Sequence, residues 1–124
     1  MRSSPLELRI LKAQRLLENL RGNPKFPREF ILPESCLGYN FLCQLIRPVK
    51  LDDCEISWIG FNFPSDIGEE EIETGIFGPD GLVYPSELGY DDARVHKSLH
   101  DLLDHVCDLA QKLFLVSDQE LEEN

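Results

Sequence analysis

Hydrophobic positions near the start of the chain recur at three and four residues. Leu6, Ile10, Ala13, Leu16, Leu17 and Leu20 fall on one face of a helical wheel, flanked or opposed by Arg9, Lys12, Arg15, Glu18 and Arg21. That period predicts an amphipathic helix laid on a core. Ser4 is its N-cap candidate, ahead of a proline in the first turn, and Gly22 followed by Asn23 and Pro24 is its stop. Leu8 and Leu11 fall outside the stripe and leave room for a contact with a partner or with a second copy, a homodimer. Residues 23–40 carry Pro24, Pro27, Pro33 and Gly38 among Phe26, Phe30, Ile31 and Leu32, which suggests a crossing segment too apolar to be an interdomain linker.

The period then changes to two. Over 39–49, Phe41, Cys43 and Leu45 alternate with Leu42, Gln44 and Ile46, as in a strand with two apolar faces, while Pro33 and Pro48 could equally bracket a helix. Gly38 and the β-favouring Tyr39 and Phe41 favour the strand. A turn at 50–53 leads into a second strand over 54–63, with Ile56 and Trp58 on one face and Ile59, Phe61 and Phe63 on the opposite parity. A bulge near Gly60 accounts for that slip. Residues 71–77 alternate Ile72, Thr74 and Ile76 with Glu71, Glu73 and Gly75, a strand with one wet, charged face. Gly78-Pro79-Asp80-Gly81 matches a type I turn closing into a glycine bulge and predicts a hairpin over 72–84. Helical spacing returns with Val95, Leu99, Leu102, Leu103, Val106, Leu109, Ala110 and Leu113, from a cap at Asp91 or Asp92 to about residue 116.

The element order α-β-β-β-β-α defines an α+β fold: an antiparallel sheet of about four strands, flanked on its apolar face by an N-terminal and a long C-terminal helix. Carboxylates occupy the other face. One α+β domain over 1–116 and an acidic flexible tail over 117–124 account for the 124 residues. A chain of that length sustains a core without staples, and 42% hydrophobic with 28% charged residues is the composition of a soluble globular domain. Cys36, Cys43, Cys54 and Cys107 lack Cys-x-x-Cys spacing and read as free thiols. No apolar run reaches the length of a membrane helix and MRSSPLELRI lacks the apolar core of a signal peptide, so the expected location is the cytoplasm.

Charge alters the picture most. Residues 1–28 hold seven bases against Glu7 and Glu18, yet the whole chain has a formal net charge of -11. Between Lys50 and Arg94 there is no base, while Asp52, Asp53, Glu55, Asp66, Glu69, Glu70, Glu71, Glu73, Asp80, Glu87, Asp91 and Asp92 are all acidic. A field of that sign repels nucleic acid and acidic membranes and draws in a basic protein. The expected binding surface is Asp66, Glu69, Glu70, Glu71, Glu73, Asp80, Glu87, Asp91 and Asp92. The expected function is that of a small acidic interaction module that binds and neutralises or regulates a basic protein partner, as immunity proteins, secretion chaperones and inhibitors do.

Catalytic chemistry has weaker support. His96, His100 and Asp104, at i, i+4 and i+8 with Cys107 beyond, could bind zinc from one side of a helix, but the same border position suits a core edge, and no His-Glu-x-x-His motif is present. No metal, cofactor or catalytic residue is assigned, and His105 is expected to face solvent. The glycines at 75, 78 and 81 sit in a hairpin and read as turn chemistry, not as a phosphate loop. Gly-x-Ser-x-Gly is absent, and the acids fall in loops or on an exposed face where nothing raises their pKa for acid/base work. The alternative function is a small metal-assisted or acid/base enzyme built on the C-terminal helix. Trp58, the single tryptophan, reads either as a core filler beside Ile56 or as an aromatic anchor near an acidic rim.

Overall fold

A computed structural model describes residues 5–51, 54–64, 71–85, 88, 90 and 93–122, with side chains as far as Phe114. Helix α1 (Pro5–Arg21) ends as its sequence demands, with the Gly22 amide donating to the carbonyl of Glu18 and the Lys25 amide donating to Asn23 Oδ1 at 2.9 Å. Strands β1 (Phe30–Ile31), β2 (Asn40–Leu51), β3 (Cys54–Asn62), β4 (Ile72–Gly78), β5 (Gly81–Val83) and β6 (Arg94–His96) precede α2 (Leu99–Glu122). Every pairing is antiparallel, in the order β1-β2-β3-β4-β5, with β6 also paired to β4. The α+β architecture is the expected one, and residues 40–51 are strand. Added to the four expected strands are the short β1 and β6.

One apolar cluster joins Ala13, Leu16, Leu17 and Leu20 of α1, Phe41, Cys43 and Leu45 of β2, Ile59 and Phe61 of β3, and Leu102, Val106, Leu109 and Leu113 of α2. Both helices therefore cover the same face of the sheet. Leu8 and Leu11 stay exposed, as their place on the wheel requires. Among the described residues, no helix is long and apolar enough to cross a membrane.

Four details differ from the sequence reading. The strand irregularity does not lie at Gly60, which pairs in register with Leu42 and Gly75; Gln44 pairs with Trp58 and Val49 with Ile56, so residues 45–48 bow out opposite Ser57. Pro48, which has no amide to donate, and the pull of β1 on Leu45 explain the site. The parity slip in β3 falls there, so Trp58 shares a face with its partners Gln44 and Phe77 rather than with buried Ile56. Residues 94–96 are a strand, and α2 begins at Leu99, where Ser98 Oγ accepts from the Asp101 amide at 3.2 Å. The helix then runs to Glu122 rather than ending near residue 116, because nothing between them breaks it. Asp91 and Asp92 therefore do not cap α2, while the Ser4 cap lies outside the described residues.

Candidate functional site

Among the described residues, the face of the sheet turned away from the helices holds no wall of carboxylates. Opposite residues on neighbouring strands point to the same side, so the pairings Leu42↔Gly60↔Gly75 and Gln44↔Trp58↔Phe77↔Leu82 define two rows across this outer face. The first row contains two facing glycines. Leu42, Phe77 and Leu82 lean over the glycines, and among these residues lies a trough of about 330 Å³ lined by all five. A Cβ on Gly60 would lie 2.6 Å from the Phe77 ring and 2.9 Å from Leu42 Cδ2, so the glycine is what lets these side chains close over the strand. Leu42 and Leu82 are 38% and 51% exposed, so this apolar surface is open to a partner.

At one end of the trough Asn62 and Glu73, a third cross-strand pair, are hydrogen-bonded, with Asn62 Nδ2 donating to Glu73 Oε1 at 3.1 Å. Asn62 Oδ1 is buried without a hydrogen bond. Among the described residues no Lys, Arg or His lines the trough. On the far edge of β4, Thr74 pairs with Arg94 of β6 and Ile76 with Val83 of β5, so Gly75 marks the point where one short strand gives way to the other.

Of the acids expected to bind, Glu71, Glu73 and Asp80 are described. Glu73 is in the trough, half-buried. Asp80 is exposed in the turn between β4 and β5, where Gly81 takes a φ of 119° that only glycine adopts freely. Asp66, Glu69, Glu70, Glu87, Asp91 and Asp92 lie outside the described residues. The outer parity of β4 is Glu73, Gly75 and Phe77, which is why the expected charged face carries one acid and an apolar hollow instead.

On the inner face a polar cluster interrupts the core. Buried Thr74 of β4 holds its Oγ1 3.1 Å from the Tyr90 hydroxyl and 3.0 Å from His96 Nε2, and the Tyr90 hydroxyl hydrogen-bonds His105 Nε2. The imidazoles of His96 and His105 pack with centroids 4.7 Å apart. Every group is satisfied when His96 Nε2–H donates to Thr74, Thr74 to Tyr90, and Tyr90 to an unprotonated His105 Nε2. Burial lowers the pKa of His105 to about 4, helped by His96 and Arg94, and burial followed by Arg94 lowers that of His96. Burial also pushes Tyr90 up to about 12, against the Thr74 bond and Arg94. A working acid/base pair needs pKa values near the operating pH, whereas these move away from neutrality in opposite directions. The cluster reads as a clasp joining β4, β6 and α2. His105, expected in solvent, is its helical member.

The proposed zinc ligands are not brought together. His96 is buried on β6, His100 pairs with Asp104 at 3.4 Å on the exposed side of α2, and Cys107 Sγ donates to the carbonyl of Lys25 at 3.1 Å. Among the described residues no group of three His, Cys, Asp or Glu could hold a metal ion. A hollow of about 610 Å³ between residues 24–29 and α2 contains Cys107, but burial and the nearby Asp104 and Glu29 raise its pKa, which disfavours the thiolate a nucleophile requires. Comparison with protein families, with characterised proteins and with solved structures finds no match to this chain.

Proposed function

We propose that this protein is an acidic interaction module that binds a basic protein partner and thereby neutralises or regulates it, with the outer face of the sheet as its docking surface. The observation that carries this reading is the apolar trough left uncovered by both helices, in a chain of net charge -11 whose residues 51–93 contain no base. Apolar surface on a chain with a strong excess of one sign of charge suits a partner that arrives by electrostatic steering and is held by side-chain burial. Nucleic acid and anionic membranes are disfavoured by the same charge. Four free cysteines fit a reducing compartment such as the cytoplasm.

The test separates binding from stability. A partner recovered from the native host should associate more slowly as salt rises. Replacing Glu69, Glu71 and Glu73 together by glutamine should reduce the association rate while leaving the melting temperature unchanged or higher, because crowded like charges repel. Salt-independent binding, or a triple variant that binds normally, rules the reading out.

A further inference from the structure

We infer that the trough is an anchor pocket for one long cationic side chain, arginine or lysine, of the basic partner, an inference that rests on the interaction reading above. Its volume of about 330 Å³ is ample to admit one such side chain. The walls supplied by Leu42, Phe77 and Leu82 match the aliphatic stem that both residues bury while keeping the charged head free. The Phe77 ring offers a surface on which a guanidinium or ammonium group is attracted.

The polar end decides the sign of the occupant. Glu73 accepts from Asn62 through Oε1, which leaves Oε2 without a hydrogen-bond partner among the described residues, and Asn62 Oδ1 is a second acceptor without a donor. Among the described residues two acceptors, the second of them enclosed, and no cation stand at this end, which leaves it short of donors. An anion entering it meets a carboxylate, and an uncharged apolar group leaves both acceptors unpaired. A guanidinium presents several donors in one plane and can serve Glu73 and, once the amide turns, Asn62 together.

Trp58 lies on the same face beside Phe77, so the single tryptophan reports on the site. The probes are a serine–glycine peptide with one central arginine, the same peptide with uncharged citrulline, and polyarginine. They are titrated by tryptophan fluorescence and by amide shifts of Gly60 and Gly75. The arginine peptide should shift both glycines and bind at least about tenfold more tightly than the citrulline peptide. Glu73→Gln, which keeps the acceptor for Asn62, should lower that affinity about tenfold. Glu18→Gln, an equal charge change on an exposed position of α1, should leave it within about twofold. Leu82→Ser should weaken binding several-fold without altering its salt dependence, and it keeps the test valid if Glu73→Gln folds poorly.

Equal loss in Glu73→Gln and Glu18→Gln, equal affinity for arginine and citrulline, or shifts confined to other residues would overturn the anchor. Polyarginine binding would then still uphold the acidic module. Failure of polyarginine to bind at low salt overturns the module itself.

Discussion

The two faces of this sheet are made from the same strands, residue by alternate residue, yet they are finished in opposite ways. The inner parity, with Phe41, Cys43, Leu45, Ile59, Phe61, Thr74 and Ile76, is almost wholly buried beneath two helices. Its polar cluster of Thr74, Tyr90, His96 and His105 is hydrogen-bonded within itself. The outer parity brings two glycines face to face, leaves leucines half-exposed, and strands an amide oxygen without a donor. A buried face with its polar groups paired stabilises the fold. A hollow with unpaired acceptors contributes little to stability and is the natural place for a ligand.

The sharpest way to break that contrast is to truncate an aromatic on each face of the same strand pair. Phe61 is fully buried against Phe41, with ring centroids 5.2 Å apart, so Phe61→Ala should destabilise by about 3–5 kcal/mol in urea unfolding. Phe77→Ala should cost no more than about 2 kcal/mol, because its ring is partly solvated, and should instead abolish recognition. Equal costs would show that the outer face is a second core.

Two glycines provide the next comparison. A Cβ at Gly78 would sit 2.2 Å from the backbone oxygen of Glu55, which cannot swing aside without pulling β3. Gly78→Ala should therefore destabilise by roughly 2–4 kcal/mol. At Gly60 the obstacles are the ends of the Phe77 and Leu42 side chains, both free to move outward. Gly60→Ala should cost about 1 kcal/mol or less and push the Phe77 and Leu42 side chains out of their places in the trough wall, so that binding falls more than stability does.

The inner face was largely readable in the sequence, and the reasons are local. Helix α1 announces itself by a period near 3.6 between capping and stop residues, and the β4–β5 hairpin by Gly78-Pro79-Asp80-Gly81. Strand β6 was missed because its reason is remote: Arg94–His96 is strand through its pairing with Ile72–Thr74, while locally Val95 and Leu99 keep helical spacing. The place of His105 is a separate matter. Wherever α2 starts, His105 stands three residues after buried Leu102 and four before buried Leu109, a signal for the core border that is present in the chain. The trough had a trace as well, in the two apolar faces of residues 41–46. Its glycine floor did not, because a close approach of side chains from other strands has no local signature and Gly60 alone resembles a bulge.

Acid should undo the inner clasp. Both histidines have folded pKa values below the ordinary 6.5, so above that value folded and unfolded chains are equally unprotonated and the full stability is present. As pH falls from about 6.5 towards about 4 the unfolded chain takes up protons that the buried imidazoles refuse, and stability declines. Allowing for partial solvent screening of His105, the loss should be on the order of 2 kcal/mol. His105→Gln, which keeps an acceptor for Tyr90, should flatten the decline in urea midpoints over that window. An unchanged slope would place the acid sensitivity elsewhere.

The smallest expected effect is on the outer face, and it separates the two faces most cleanly. Glu73 is half-buried, and among the described residues its single hydrogen bond comes from Asn62 and no base stands near it. Glutamine preserves the carbonyl that Asn62 reaches and removes one negative charge from a chain that has an excess of them. Loss of self-repulsion then offsets any small loss of charge-assisted hydrogen bonding. Glu73→Gln should therefore change unfolding free energy by less than about 0.5 kcal/mol, in the stabilising direction at low salt, with the gain fading as salt screens it. The same substitution in a structural ion pair would show the reverse: a loss of stability, largest at low salt. Urea unfolding of the wild type and Glu73→Gln at low and high salt distinguishes the two. A salt-sensitive destabilisation would mean that this carboxylate holds the sheet together through a cation on its own chain, and that the outer face is not waiting for a partner to supply one.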